Sequence, residues 1–308
     1  MFTKKTALII PTRNRPNYLR SLFIQIKKLE FNQVIVVDSS NKKNKPLVKN
    51  ICKIYSVELY NSFPSTSHQR NIGLNKAKNN NQFIMFADDD IIFFKNSFKE
   101  MNILIKRHEK NSDIAGFGFN LIDNKSNHSL NFLKNSWLAK KLNLYSNKVG
   151  KVTKSGWHTR IVNVKSDQFV DWIYTAAVVY KFNLIKNVKF DIFFGKYSYL
   201  EDLDFCLSLK KKLIICYKAK FIHPNDIERR NFNFGVTEII NRFTVVKKHK
   251  LSIASFLLGS LLRFSISFIL IFTNDFRFFY RSVGNIVGIL KSLFRISFSS
   301  NIYKKQDK

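Results

Sequence analysis

Short, uninterrupted apolar runs alternate with stretches of helical spacing through the first 90 residues, and this alternation restricts the fold more than any single motif. The runs are TALIIPT (Thr6–Thr12), QVIVVDSS (33–40), VELY (57–60) and FIMFA (Phe83–Ala87). None alternates polar with apolar, so each reads as a strand covered on both faces. Between the first two, Leu19, Leu22, Phe23 and Ile26 fall at i, i+3, i+4 and i+7, one apolar helical face. Asn14 is expected to cap that helix, which would begin near Pro16. Val48, Ile51, Cys52 and Tyr55 repeat the spacing, and a third helix is expected over 67–78 despite Gly73. Strand, helix, strand with short connections predicts an α/β fold: a mostly parallel sheet with helices on both faces. Ligands of such sheets bind beyond the carboxyl ends of the strands. Pro11, Thr12, Arg13, Asp38 and the run Asp88, Asp89, Asp90 all fall at such ends, so they are expected to meet in one cleft.

Further along, a helix is expected over 96–110 and a strand at IAGFGFNL. Residues 124–164 are polar and receive no assignment. The apolar run 169–181 reads as one strand, 199–212 as a helix, and LIICY as a last strand, followed by His223 and Pro224. A boundary is expected near residue 235, with a nucleotide-binding half (1–122) and an acceptor half (123–235) before it and a basic, apolar tail (236–308) after it.

Composition removes some classes. At 45% hydrophobic residues the chain can bury a core, which excludes a disordered basic protein. Three cysteines with no CxxC spacing argue against a disulfide framework or zinc site and favour a reducing compartment. The first apolar run is only Ala7 to Ile10 before proline, too short for a signal peptide, so the N-terminal domain is expected in the cytoplasm. The net charge of +31 admits nucleic-acid binding, attraction to an anionic membrane, or lysine accumulated on solvated faces. The region after Lys247 is both basic and apolar, which favours a membrane surface over nucleic acid.

The carboxylates carry the chemistry. Residues i and i+2 of a strand face the same way, so Asp88 and Asp90 face together if the strand runs one residue past Ala87. Such a pair can hold a hard divalent cation and leave positions for phosphate oxygens; a solvated acidic turn is the alternative. In EDLD, Glu201 and Asp202 are candidates for a general base, although acids also favour helix N-termini through the backbone dipole. Asp38 either caps a turn or accepts hydrogen bonds from a nucleobase or ribose. Arg13 and Arg70 suit a diphosphate, or are surface residues. Asp171 and Trp172 offer a carboxylate for sugar hydroxyls and an indole for a sugar face; core packing explains Trp172 equally well.

Five motifs in order, LIIPTRNRPNYLRSL, VIVVDSS, QRNIGLNKA, MFADDDI and YLEDLDFCLSLKK, resemble family 2 glycosyltransferases, in particular the bacterial cell-surface polysaccharide, rhamnosyltransferase-like type. The resemblance covers roughly residues 5–225. It implies a GT-A fold, a nucleotide-diphospho-sugar donor, a divalent metal (Mg or Mn) and inversion at the anomeric carbon. Carried over, Pro11, Thr12, Arg13 and Asp38 line the nucleotide pocket, Arg70 approaches the base or diphosphate, and Asp88 and Asp89 accompany the donor. Asp90, with Asp88, falls to the metal, and His223 to the metal or diphosphate, a structural role explaining a lone histidine before proline equally well; Asp202 is the base, with Glu201 second. The chain departs from the family at Thr175 and Ala176, where a glycine often helps form the acceptor floor. A nucleotidyltransferase ranks low because no Gly-rich phosphate loop follows the first strand, and a non-enzymatic binding protein or an inactive scaffold remains the alternative.

Residues 251–273 are long enough to span a bilayer, but Arg263 interrupts them at a cost of about 2.5 kcal/mol or more. Residues 276–298 are amphipathic, with Arg277, Arg281, Lys291 and Arg295 among aromatic and aliphatic residues. A pair of interfacial helices is therefore expected ahead of a single spanning helix or a soluble core, which places the chain at the cytoplasmic face of the plasma membrane, peripheral or single-pass. The tail resembles those of family members that glycosylate lipid-linked or surface polysaccharides, which implies a lipid-linked or surface glycan as acceptor.

Overall fold

The computed structural model describes residues 1–123, 136–195, 198–223, 229–273 and 275–297. It divides into two units. The first comprises Met1–Ser126, Val149–Lys151 and Arg160–Asn225; the second takes in Asn127–Lys148, Val152–Thr159 and Asp226–Lys308.

The first unit carries the strand–helix alternation. Strands β1 (Thr6–Thr12), β2 (Gln33–Asp38), β3 (Glu58–Asn61) and β4 (Phe83–Ala87) are separated by helices α1 (Pro16–Ile26), α2 (Lys45–Ile54) and α3 (Thr66–Lys76). Then come β5 (Ile92–Phe93), α4 (Ser97–His108) and β6 (Ile114–Leu121). After α5 (Trp137–Lys141) of the second unit follow β7 (Gln168–Val170), β8 (Ala177–Lys181), α6 (Phe182–Ile185), α7 (Glu201–Leu209) and β9 (Lys212–Ile222). All nine strands form one sheet in the order β3-β2-β1-β4-β8-β6-β9-β5, with β7 also paired to β9. The expected mostly parallel α/β sheet is therefore present: β3, β2, β1 and β4 run parallel, β8 is antiparallel to β4 and β6, and β6 runs parallel to β9.

Side-chain alternation explains the layering. Leu8 and Ile10 of β1 join Leu19, Leu22, Phe23, Val48 and Ile51 in one core. Ile9 points to the opposite face, where α3 packs so closely that a Cβ at Gly73 would lie well inside contact distance of Ile9 Cγ2. Gly73 therefore lets α3 sit on the sheet rather than merely being tolerated in it.

Three local expectations are corrected. The N-cap of α1 is Arg15, not Asn14, and Arg15 makes no side-chain cap. Asn14 takes a left-handed conformation (φ 57°), and its Oδ1 accepts from Asn41 N at 2.8 Å, bracing the loops after β1 and β2. The run 169–181 is two strands, because the chain leaves the sheet between Val170 and Ala177 while Trp172 and Ile173 stay buried. The last strand is longer than LIICY, reaching Ile222 so that Phe221 and Ile222 pair with β5.

The second unit is built on α8 (Phe232–Lys248), α9 (Ile253–Thr273) and α10 (Phe278–Ser297). Helices α8 and α10 approach backbone to backbone: a Cβ at Gly235 would stand 2.5 Å from Arg281 O, and one at Gly284 would meet Phe232 O. Glu238, 3% exposed, accepts from Arg281 Nη2 at 2.7 Å and Arg263 Nε at 3.3 Å. Arg263 thus turns inward instead of interrupting the apolar surface of α9. The guanidinium of Arg242 lies 3.7 Å from the Trp157 ring centroid. One apolar stripe of α10, Phe279, Val283, Ile286, Leu290 and Phe294, is exposed, as are Leu258, Leu261, Phe268 and Phe272 of α9. Helix α9 is long and apolar enough to cross a bilayer, by length and composition only. The side chain of Arg295 and residues 298–308 lie outside the described residues, as do Pro224 and residues 124–135 of the unassigned segment.

Candidate active site

Strands β1, β2 and β4 end side by side, and their register brings Thr12 opposite Asp38. Thr12 donates its hydroxyl to Asp89 Oδ2 at 2.6 Å. Gln69 of α3 ties the same ends together, its Nε2 donating to Thr12 O at 2.9 Å and Val37 O at 2.7 Å. Asp38 is buried and its Oδ1 accepts from Ser40 N at 2.8 Å, while Ser40 Oγ accepts from Asn14 N at 2.7 Å. The Asp38 carboxylate therefore shapes the turn after β2. Pro11 is buried at the end of β1, and Arg13 is exposed in the loop beyond it.

The three aspartates after β4 separate by direction. Asp88 turns to Arg70, whose Nη2 donates to its Oδ1 at 3.0 Å. Asp89 turns back to Thr12 and to Arg15 Nη1, 3.3 Å from its Oδ1. Asp90 Oδ1 lies 2.9 Å from His223 Nε2, and its Oδ2 pairs with Arg15. Asp88, Asp90 and His223 bring their ligand atoms within 4.8 Å of one another. The expected i, i+2 pairing thus closes on a histidine 133 residues away, which β9 delivers by extending to Ile222. Two carboxylates and an imidazole suit a divalent ion such as Mn²⁺ or Mg²⁺. The 2.9 Å between Asp90 and His223 fits as well, because neighbouring ligands of an octahedral ion with bonds of about 2.1 Å stand about 3 Å apart.

Asp89, expected beside the donor, instead joins β4 to β1. Burial raises its carboxyl to about 7, the Thr12 hydrogen bond opposes this, and Asp90 adds to it. The first cause of the rise is desolvation, ahead of repulsion from the neighbouring aspartates. For His223, burial disfavours the imidazolium; the hydrogen bond to Asp90 and the charges of Asp88 and Asp90 outweigh it, and the pKa is raised.

Arg70, 2% exposed, bridges two separate acids. Besides Asp88, it donates through Nη1 to Glu201 Oε1 at 2.6 Å, and its Cζ lies 5.6 Å from the Phe190 ring centroid. Glu201 and Asp202 open α7, whose N-cap Leu200 is left-handed (φ 75°). Glu201 is buried and committed to Arg70; Asp202 is partly exposed, its Oδ1 accepting from Leu203 N at 2.8 Å. Burial raises both carboxyls, and Arg70 opposes the rise in each. A partly exposed carboxylate with a raised pKa can take a proton near neutral pH, whereas an arginine-bound one is held as an anchor.

Asp171 and Trp172 lie in the segment that joins β7 to β8. Asp171 pairs with Lys151 at 3.0 Å and lines a pocket with Phe169, Cys206 and Lys210. Trp172 is 1% exposed and packs edge-on against Tyr174 at 4.6 Å; its indole is a core element and offers no open face for a sugar. Arg15 is the functional candidate that the sequence reading missed. Its only signal was its place in the loop after β1.

The family model described as glycosyl transferase family 2 matches residues 7–162, just over half of the chain, and the chain belongs to that family. It is a glycosyltransferase with a GT-A-like fold. Among solved structures it is similar to glucosyl-3-phosphoglycerate synthase from Mycobacterium tuberculosis in complex with phosphoglyceric acid, at 10% identity and a TM-score of 0.51, covering 80% of this chain and 81% of that one. The same enzyme with Mn²⁺, UDP-glucose and phosphoglyceric acid also matches at 10% identity and a TM-score of 0.51, covering 80% of each chain. A further mycobacterial protein matches at 10% identity and a TM-score of 0.51, over 80% of this chain and 76% of that one. No curated protein sequence matches the chain.

Proposed function

We propose that the chain transfers a sugar, with inversion, from a nucleotide-diphospho-sugar to a hydroxyl of a lipid-linked or cell-surface glycan. The observation that carries this is the convergence of Asp88, Asp90 and His223 at the strand ends, linked through Arg70 to Glu201, with Asp202 next to it at the start of α7. Asp88, Asp90 and His223 would hold a divalent ion, Mg²⁺ or Mn²⁺. Such an ion supplies Lewis-acid neutralisation of the departing diphosphate. Thr12, Arg13 and Asp38 line the nucleotide side of the cleft. Asp202 accepts the proton of the acceptor hydroxyl as its oxygen forms the new bond to the anomeric carbon. The bond from that carbon to the phosphate oxygen breaks, and the nucleoside diphosphate leaves with the electron pair. Glu201 keeps Arg70 in place, and Arg70 holds Asp88 toward the cluster. The solved relatives that bind Mn²⁺ and UDP-glucose support a uridine nucleotide as the first donor to try.

The reading extends to location. Exposed apolar stripes on α9 and α10 are accompanied by exposed Lys291 on α10 and exposed Arg277 just before it, which fits attachment to an anionic membrane surface. A cytoplasmic-face site would give access to a lipid-linked acceptor.

The test is calorimetry of UDP, dTDP, GDP and CMP with and without Mn²⁺, on wild type, Asp90→Ala and Asp202→Asn. The expected result is metal-dependent binding of one nucleotide, lost in Asp90→Ala and kept in Asp202→Asn. Failure of every nucleotide under every metal condition would overturn the reading.

A further inference from the structure

Arg15 is the one cation in direct contact with two of the three consecutive aspartates among the contacts described. Its Nη1 lies 3.3 Å from Asp89 Oδ1 and pairs more closely with Asp90 Oδ2. The burial is lopsided. The Asp89 and Asp90 side chains are 4% and 2% exposed, and that of Arg15 is 42% exposed. The carboxylates are therefore fixed in the fold, and the guanidinium is the partner that can move. Asp90 has both oxygens engaged, Oδ1 by His223 and Oδ2 by Arg15. Asp89 is locked from the other side by Thr12, so its Oδ1 remains a foothold for Arg15 even when Asp90 is released. The Tyr18 ring, 6.0 Å from Arg15 Cζ, borders the same position on α1.

Resting on the metal reading of Asp88, Asp90 and His223, we infer that Arg15 is a built-in counter-cation that competes with the divalent ion for Asp90. While no metal is held, the guanidinium adds a cation to two buried carboxylates that otherwise have only the Thr12 hydroxyl and the His223 imidazole among the contacts described to offset their desolvation. A metal ion that takes Asp90 must displace it. The freed guanidinium stays tethered at Asp89, at the mouth of the cleft, where its planar donors suit the oxygens of a diphosphate. Arg15 thus opposes metal binding alone and favours metal binding together with a diphosphate. The consequence is ordered loading: the ion is held weakly until a nucleoside diphosphate gives Arg15 a second anion.

The test is Mn²⁺ titration of the full chain, read by the loss of free-ion EPR signal, first without nucleotide and then with saturating UDP. Wild type, Arg15→Gln, Arg15→Lys and Asp90→Ala are compared. Without nucleotide, Arg15→Gln is expected to bind Mn²⁺ about tenfold more tightly than wild type, equivalent to about 1.4 kcal/mol. Arg15→Lys keeps the charge without the fork and should fall between them. With UDP, the advantage of Arg15→Gln should vanish or reverse. Equal or weaker Mn²⁺ binding by Arg15→Gln without nucleotide, while Asp90→Ala loses binding, would overturn the counter-cation and leave the metal site standing. Mn²⁺ binding unaffected by Asp90→Ala would overturn the metal reading itself, and the inference with it.

Discussion

Glu238→Gln is expected to unfold the helical unit at lower denaturant, by an amount the geometry bounds. The carboxylate is 3% exposed and lies 2.7 Å from Arg281 Nη2 and 3.3 Å from Arg263 Nε. At an effective dielectric of 20 these attractions amount to about 6 and about 5 kcal/mol before desolvation is counted. Most of that offsets the cost of taking the ions out of water. Removing one member of such a buried set typically costs about 3–5 kcal/mol, because the remaining charges stay buried without it. Glutamine keeps the shape and one acceptor but leaves the Arg242, Arg263 and Arg281 guanidiniums to repel one another. With a urea slope of about 1–3 kcal/mol/M, the midpoint should fall by more than about 1 M. Trp157 reports this unit, because Arg242 lies over its ring; fluorescence in a Trp137→Phe, Trp172→Phe background isolates it. The double variant Glu238→Met, Arg263→Met removes both charges of one pair and should lose less than Glu238→Met alone. Burial acts to raise the Glu238 carboxyl, but the three arginines outweigh it and lower it. Its contribution is therefore present above the unfolded value of about 4.3 and lost as pH falls through the lower folded value. An unchanged midpoint in Glu238→Gln, or a double variant as damaged as the sum of the singles, would refute the account.

Two further outcomes are expected. The transfer rate should rise with pH to a plateau, with a midpoint above the ordinary aspartate value of about 3.9 because burial raises Asp202; steady-state rates from pH 4 to 9 measure it, and a midpoint at or below 3.9 would count against Asp202 as the base. Gly73→Ala should destabilise the first unit by about 1–3 kcal/mol, since the added methyl meets Ile9; calorimetric melting would show this as a lower Tm.

The strands were legible wherever an apolar run is covered on both faces, as in β1 and β4, where burial and strand geometry coincide. They were misread where burial persists without the sheet: Trp172 and Ile173 are buried in a connecting segment, and hydropathy alone does not distinguish the two. Asp88 and Asp90 were expected to face together if the strand continued past Ala87; β4 ends at Ala87 and Asp89 and Asp90 lie in the turn after it, so the turn groups Asp88 with Asp90 and sends Asp89 toward Thr12. Arg15 was illegible because a loop arginine has no pattern; its meaning comes from carboxylates 74 and 75 residues distant. The Glu238 cluster was hidden for the same reason, its partners lying 25 and 43 residues away on other helices. Asn14 has the residue type of a helix cap, but the loop after β2 claimed its side chain first.

The bridge made by Arg70 has a meaning for how this chain can be recombined. One guanidinium on α3 joins the end of β4 to the start of α7, and beside it Asn71 exchanges two 2.8 Å hydrogen bonds with the Phe190 backbone. Any splice between residues 71 and 190 separates these partners. A chimera that takes the residues after such a splice from another glycosyltransferase will therefore join cleanly only if the incoming sequence supplies a glutamate matching Glu201 and a backbone that meets Asn71. The α3–α7 seam sets where parts of this enzyme can be exchanged.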